Sequence, residues 1–377
     1  MKVGPQGAGP WIALLLVVAA LATTTTGTRT EPQRTVAVLS VGTDPRSLAY
    51  DPAKGEVFVA NEGSGTISVI SDATDRVTST FDAGGYPVSL CYDSGKGEIF
   101  SANYLNGTVT VISDSNDSVV DTIDVGGGPT GMAYDSNASE VFVANVGLNP
   151  GKGTVSVISD NNDSIVANVT VGPYPVGLAY DPVRGEVFVT DFGGNGGGGT
   201  YISVISAQSY AVSTIYGGNS PYLIAYVQKE GEVFASDWAS GSVLVASDAT
   251  FAEVGNVSVG SGPTAIAYDS GRGDVLVLNS LSGTLSMISA SSLKVVETMG
   301  LGGDPDAIAY DSAKGEAFVA DFKSNLVKII PDSAIASGTA AAIPYFPSVP
   351  WVEVLATLIV AGAYFAFRRR SMAPSPR

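Results

Sequence analysis

The sequence predicts an all-β fold, a seven-bladed β-propeller with four-stranded antiparallel blades, plus one C-terminal transmembrane helix. Three observations indicate the propeller. A segment recurs along most of the 377-residue chain, each copy contains four short β-type stretches, and the two ends of the array complement each other. An apolar run near the C-terminus indicates the helix.

The repeat is defined by a segment of the form Pro-x-x-(Leu/Ile/Met)-x-Tyr. Successive tyrosines are 42 or 46 residues apart, so the chain holds seven copies, two of which carry four-residue insertions. A fixed period of this length is typical of repeat architectures, including propellers. The seven tyrosines are Tyr50, Tyr92, Tyr134, Tyr180, Tyr226, Tyr268 and Tyr310.

Each copy contains four candidate strands. In the first copy these are residues 46–50, 56–60, 65–70 and 76–81. They are rich in Val, Ile, Thr, Tyr and Phe, and turn-forming Gly, Asp, Asn and Pro separate them. No stretch of the repeat region has a sustained helical period. Four short antiparallel strands per repeat are typical of a propeller blade.

The ends of the array predict how the ring closes. The seventh copy has only three strands, whereas residues 34–41 precede the first copy and match the fourth strand of the others. We therefore expect the N-terminal strand to complete the last blade, which removes a free sheet edge. A linear β-solenoid is the alternative, but it would not need complementary ends.

Composition excludes several classes of function. The chain has no histidine and one cysteine, Cys91. This excludes Ser–His–Asp catalysis, His-ligated metals, an intramolecular disulfide and Cys-based clusters. The formal net charge of −17 argues against nucleic acid as a partner, because such binding depends on neutralising phosphates.

The N-terminus predicts a signal peptide at residues 1–22 and a linker at 23–33. Residues 11–22 are apolar, follow Lys2 and end in Ala20-Leu21-Ala22. A run of this length is too short to span a bilayer, and the small residues suit a cleavage site. An uncleaved N-terminal anchor is the alternative.

The C-terminus predicts a membrane anchor. After the propeller at 34–331 and an Ala/Ser/Pro linker at 332–350, residues 351–367 are apolar and are followed by three arginines. The arginines place the tail, 368–377, in the cytoplasm. The expected protein is a single-pass cell-membrane protein with its propeller outside, and a buried core helix is the alternative for the apolar run.

The second strand of the repeats also carries a family resemblance. It ends in sequences such as Phe58-Val-Ala-Asn61, followed by Gly-Thr-Val-Ser-Val-Ile-Ser-like strands and Val-Gly-x-x-Pro. Over residues 34–331 the chain resembles the YVTN-type propeller repeat of prokaryotic, especially archaeal, surface-layer proteins. Asp replaces Asn in repeats 4, 5 and 7, and Leu276 replaces Phe in repeat 6. The resemblance implies a surface-layer-like propeller and does not fix an activity.

No catalytic, cofactor-binding or metal site is predicted. The Asn or Asp that ends each second strand, from Asn61 to Asp321, could form a ring of ligands, but a side chain repeated in every blade is better explained by local hydrogen bonds. Other acidic residues share that face of the ring. Calcium takes six to eight oxygens, and without an Asp-x-Asp-x-Asp-Gly loop it has no support here.

A ligand face is predicted where the repeats break their own pattern. The loops joining strand 2 to strand 3, and strand 4 to the next blade, share one face. Both insertions and several aromatic residues fall there, which suits a carbohydrate or protein partner, while ordinary loop variation is the alternative. The candidate residues are Tyr86, Tyr104, Asn149, Lys152, Tyr174, Phe192, Asn195, Tyr222, Trp238 and Phe322.

The sequence also contains six N-x-S/T sequons, which fit a glycosylated surface protein. We expect a non-enzymatic surface or envelope binding or adhesion module with surface glycans or envelope proteins as partners. The alternative is a lactonase-like hydrolase or lyase that uses carboxylates at the mouth of the central channel. The sequons are at Asn106, Asn116, Asn137, Asn162, Asn168 and Asn256.

Overall fold

A computed structural model describes residues 36–147, 153–193 and 200–335. The predicted signal peptide, residues 1–22, the predicted span, residues 351–367, and the tail lie outside these residues. Within the described parts of the chain, no helix has the length and apolar character needed to cross a bilayer.

The described residues form 28 strands, in the all-β arrangement that the repeats predict. Strand β1 covers Ala37–Ser40. Blade 1 contains β2 (Pro45–Asp51), β3 (Glu56–Asn61), β4 (Thr66–Ser71) and β5 (Arg76–Asp82). Blade 2 contains β6 (Pro87–Asp93), β7 (Glu98–Asn103), β8 (Thr108–Ser113) and β9 (Ser118–Asp124). Blade 3 contains β10 (Pro129–Asp135), β11 (Glu140–Asn145), β12 (Gly153–Ser159) and β13 (Ser164–Val171).

The remaining blades follow the same plan. Blade 4 contains β14 (Pro175–Asp181), β15 (Glu186–Asp191), β16 (Tyr201–Ser206) and β17 (Val212–Tyr216). Blade 5 contains β18 (Pro221–Val227), β19 (Glu232–Asp237), β20 (Ser242–Ser247) and β21 (Glu253–Ser258). Blade 6 contains β22 (Pro263–Asp269), β23 (Asp274–Asn279), β24 (Thr284–Ser289) and β25 (Lys294–Gly300). Blade 7 contains β26 (Pro305–Asp311), β27 (Glu316–Asp321) and β28 (Leu326–Pro331).

The strands form seven separate four-stranded antiparallel sheets. In blades 1 to 6 the sheet order follows the chain order. The first strand of each blade is innermost, because these strands contact one another from blade to blade and the series closes between β26 and β2. The predicted seven-bladed propeller is therefore confirmed.

The ring closes as the ends of the array predict. Strand β1 adds to β28 as the outermost strand of blade 7. The pairing is antiparallel and runs from Ala37 opposite Ile329 to Ser40 opposite Leu326. The first and last parts of the repeat region thus share one sheet, which leaves blade 7 with four strands like the others.

The hydrophobic core lies between neighbouring blades. One cluster, for example, joins Phe58 and Ile67 of blade 1 to Ile99 and Ile112 of blade 2. The Phe that marks each second strand is fully buried in six blades, and burial of such a side chain contributes roughly 1.5–3 kcal/mol. The repeated Phe is therefore a packing residue that holds adjacent blades together.

The packed body extends slightly beyond the predicted boundary at residue 331. A four-residue helix, α1 (Asp332–Ile335), follows β28 directly. Ile335 is buried in the cluster formed by blades 6 and 7. Because Ile335 is buried there, residues 332–335 at the start of the expected linker pack as part of the propeller.

Candidate ligand site on the loop face

A ring of backbone hydrogen bonds organises one face of the propeller, which we call the loop face. In every blade, an amide in the loop between strands 2 and 3 donates to a carbonyl in the loop that enters the blade. In blade 2, Tyr104 N donates to Tyr86 O at 3.0 Å. In blade 4, Phe192 N donates to Tyr174 O at 3.0 Å. These paired loops hold variable side chains at equivalent places around the axis.

The structure places six predicted aromatic residues on this ring of paired loops, and Tyr222 on an inner strand beside it. All seven are half-buried. The three other predicted ligand-face residues lie outside the described residues: Asn149, Lys152 and Asn195.

An inner ring of seven side chains lies closer to the axis. Each follows the proline that begins an innermost strand. Four of these positions hold valine or threonine, whereas Arg46, Tyr222 and Asp306 break the pattern. The fold does not require a charge or an aromatic ring at this position, because the other blades do without one.

The three exceptional residues converge into what we call the axial cluster, which consists of Arg46, Glu62, Tyr222, Asp306 and Phe322. Arg46 Nε lies 3.4 Å from Glu62 Oε2 and 3.5 Å from Asp306 Oδ2. Its guanidinium carbon lies 5.2 Å from the centre of the Phe322 ring. Arg46 also interacts with Tyr222. Because blades 1 and 5 are not neighbours, this last contact crosses the axis.

Two further predicted aromatics adjoin the axial cluster. The Phe192 ring packs edge-on against Tyr222, with ring centres 5.9 Å apart. The Tyr86 phenol hydrogen-bonds Glu62. Four predicted ligand-face residues, Tyr86, Phe192, Tyr222 and Phe322, are therefore brought together around one guanidinium.

The charges of the axial cluster are strongly coupled. Asp306 is the main cause that raises the pKa of Arg46, so the guanidinium stays charged. Burial raises the pKa of Glu62 and of Asp306, and Arg46 opposes both shifts. Burial, reinforced by the bond to Glu62, raises the pKa of Tyr86 to about 12. The site presents one permanent cation between two carboxyl groups whose pKa values are raised by burial.

The arrangement suits binding of a polar ligand with a flat or apolar face. The Arg46 side chain is 34% exposed, whereas those of Glu62 and Asp306 are 13% and 16% exposed. A guanidinium has five N–H donors, so the exposed part of Arg46 can donate to a ligand oxygen. The half-buried rings beside it can stack against the rest of the ligand.

Sequence reasoning missed Arg46 and Glu62. The signal for Arg46 was its place after a proline, where most repeats carry valine or threonine. Three predicted aromatics remain. Tyr104 packs beside Gly128, and Tyr174 and Trp238 take part in the ring of loop hydrogen bonds through their backbones.

The recurring strand-exit residues serve the blades, as the structural interpretation predicts. Asn61 Nδ2 donates to Ser68 Oγ at 3.0 Å and to Thr66 Oγ1 at 3.2 Å. The Asn residues thus bond mainly hydroxyls of strand 3, whereas Asp237 and Asp321 accept from amides of the loop backbone. Among the described residues, no group of three or more acidic or cysteine side chains is placed to hold a metal ion.

The asparagines of all six sequons lie on the surface. Asn116 and Asn162 occupy equivalent turns of blades 2 and 3, and Ser118 and Ser164 donate to their side-chain oxygens. Asn137 differs, because its amide donates to Tyr180 of blade 4 at 2.8 Å. Exposure is compatible with glycosylation, which stays a prediction.

The chain was compared with known proteins. It is similar in structure to a solved chain titled Kuenenia stuttgartiensis Hydrazine Synthase, with a TM-score of 0.66 and 13% sequence identity. The match covers 77% of this chain and 97% of that chain. At this identity the likeness shows the propeller fold alone. No protein-family model and no curated protein matches the sequence.

Proposed function

We propose that the protein is a non-enzymatic binding or adhesion module of the cell surface. In this proposal the propeller is exported and tethered by residues 351–367, and its loop face binds surface glycans or envelope proteins. The YVTN-type repeat, the sequons and the apolar segments at both ends of the sequence support an extracellular location.

The axial cluster is the observation on which the proposal depends. Three of seven equivalent inner positions hold Arg46, Tyr222 and Asp306, and all three meet at one place. Burial of charged groups such as Arg46 and Asp306 costs free energy. Four blades avoid this cost because they carry valine or threonine at the same position. A cluster that stability does not require, lined by aromatic rings, is typical of a ligand site.

The propeller is a suitable scaffold for such a site. Seven sheets, each packed on its neighbours, hold the loop face in fixed geometry. Binding then needs little ordering of the loops, and a preorganised surface loses less free energy on association.

Binding by the full chain can be measured on a glycan array and by pull-down of envelope proteins. We expect Tyr222→Ala combined with Phe322→Ala to weaken binding at least tenfold, because it removes two rings around Arg46. The matched control is Val176→Ala, a truncation at the inner-ring position of blade 4, which should bind like the wild type. Equal binding by both variants, or no ligand on either screen, would overturn the proposal.

A hydrolase or lyase is the second candidate, favoured by one observation. Two carboxyl groups, Glu62 and Asp306, lie at the axis with pKa values raised by burial, and shifted carboxyl groups are common in active sites. Conversion of a bound ligand by the wild type, abolished in Glu62→Gln, would favour this candidate over simple binding.

A further inference from the structure

Blade 4 exposes a pair of tyrosines on its outer strands. Tyr201 begins β16 and lies directly opposite Tyr216, the last residue of β17. The two residues are 49% and 54% exposed. Residues paired in this way project from the same face of a sheet, with Cβ atoms roughly 4.5–5.5 Å apart. Both phenol rings therefore project from the same face of the blade 4 sheet.

This pair is specific to blade 4. At the same register, five of the other blades pair small or polar residues and blade 7 pairs a leucine with a serine, so the aromatic pair is not part of the repeat. The corresponding pairs are Thr66–Asp82, Thr108–Asp124, Thr154–Thr170, Ser242–Ser258, Thr284–Gly300 and Leu326–Ser40.

Neither tyrosine has an evident structural role. Their hydroxyls make no hydrogen bond with another residue in the parts of the chain that the structure describes. Half-exposed rings with free hydroxyls combine an apolar face with a polar edge. Such a surface can both stack on a ligand and hydrogen-bond it.

The segment of chain that carries the pair is uncharged. The sequence has no Asp, Glu, Lys or Arg between Asp191 and Lys229, although the protein has 36 acidic residues. The position of Tyr216 is acidic in blades 1 and 2, where Asp82 and Asp124 occupy it. An exposed tyrosine pair in a segment that holds no charged side chain to pair with an ionic group favours a neutral ligand.

The size of the surface also restricts the ligand. A stable protein interface buries roughly 800 Å² on each partner, which is far more than two side chains provide. Two adjacent phenol rings match the dimensions of one or two sugar rings, whose C–H faces stack on aromatic side chains while their hydroxyls bond at the edge.

We propose that Tyr201 and Tyr216 form a second ligand site, distinct from the axial cluster, that binds a neutral pyranose unit of a glycan. The sugar stacks on the two rings, and the phenol hydroxyls exchange hydrogen bonds with it. The site depends on the exposed aromatic pair and does not require that the axial cluster bind anything.

Native electrophoresis of the full chain tests this site, in gels that contain dextran, mannan or galactan. We expect at least one of these neutral polysaccharides to retard the wild type. Tyr201→Ala with Tyr216→Ala should weaken retardation at least tenfold, whereas Tyr201→Phe with Tyr216→Phe should keep most of it. The matched control is Thr154→Ala with Thr170→Ala, the equivalent pair of blade 3, which should behave as the wild type.

The outcomes separate this proposal from the proposed function. Tyr222→Ala with Phe322→Ala should leave retardation unchanged, so either site can fail alone. Absence of retardation in all three gels, or equal retardation of the Tyr→Ala pair at an unchanged melting temperature, would refute the site. So would a concentration-dependent dimer that only the Tyr→Ala pair abolishes, because the tyrosines would then cover a contact between copies.

Discussion

At the scale of single residues, the Asn or Asp that ends each second strand has different hydrogen-bond partners in different blades. Where this residue is Asn, its amide donates to a hydroxyl of strand 3, as Asn103 does to Thr110 at 2.8 Å. In blade 7 the strand 3 residue is Lys328, and Asp321 accepts from its Nζ at 2.9 Å. In this blade the Asp side chain pairs with a cation, and an ammonium group needs an acceptor.

Asp191, at the same position of blade 4, has a neutral partner instead. Asp191 Oδ2 accepts from Ser203 Oγ at 2.7 Å, and burial raises the pKa of Asp191 to about 7. The folded-state pKa lies above the ordinary value of 3.8. The folded protein therefore binds this proton more tightly than the unfolded chain, and the associated stability is lost as the pH rises toward and through 7.

We expect Asp191→Asn to remove this loss of stability. At pH 8 the free energy of unfolding should rise by roughly 2–4 kcal/mol relative to the wild type, and at pH 4 by much less. Urea unfolding at the two pH values measures the difference. The matched control is Asp237→Asn, which should destabilise the protein, since Asp237 accepts from the backbone amides of Asn219 and Ser220 at 2.7 and 3.1 Å. An equal gain at both pH values would contradict the titration of Asp191.

At the scale of strands and turns, the tyrosine of the repeat joins neighbouring blades. Tyr310 donates to Asp332 of its own blade at 2.9 Å and also interacts with Asp269, the turn residue of blade 6. The turn aspartate itself caps its own loop, with Ala313 N donating to Asp311 Oδ1 at 2.8 Å. One repeated Tyr-Asp sequence thus shapes a turn and fastens it to the next blade.

Two basic residues of these turns pair with carboxylates of the next blade. Lys54 lies 3.2 Å from Asp114 of blade 2, and Lys314 lies 3.1 Å from Asp72 of blade 1. Arg272 keeps a local partner, Asp274, at 3.3 Å. Sequence spacing favours local pairs, and only the packing of blades brings the distant carboxylates within reach.

We expect Tyr310→Phe to destabilise the protein by about 1–3 kcal/mol, because Asp332 loses its partly buried donor and Asp269 loses its interaction with the same hydroxyl. Tyr268→Phe is the matched control. At that junction Val227 replaces the turn aspartate and Ala290 replaces the aspartate of the same blade, so the cost should stay below about 0.5 kcal/mol. Chemical denaturation measures both, and equal losses would show that the hydroxyls do not join the blades.

At the scale of the whole molecule, the sequence predicts the architecture better than the site. The tyrosines and phenylalanines recur at fixed positions of the repeat, so the number of blades can be read from the sequence. The complementary ends of the array predict that the ring closes. The axial cluster follows from no local rule. Arg46, Tyr222 and Asp306 are far apart in the sequence, and only the closed ring brings them together.

Closure itself can be tested by removing β1. A chain that begins at Gly42 lacks the strand whose Ala37 and Leu39 pack against blade 7, and it leaves the outer edge of β28 unpaired. We expect its melting temperature to fall by roughly 10 °C or more relative to a chain that begins at Thr35. A peptide of residues 34–41 added in trans should restore part of the loss, and a scrambled peptide should not, because only the native order places apolar side chains against Val327 and Ile329. Equal melting of the two truncated chains would show that β1 does not hold the ring closed.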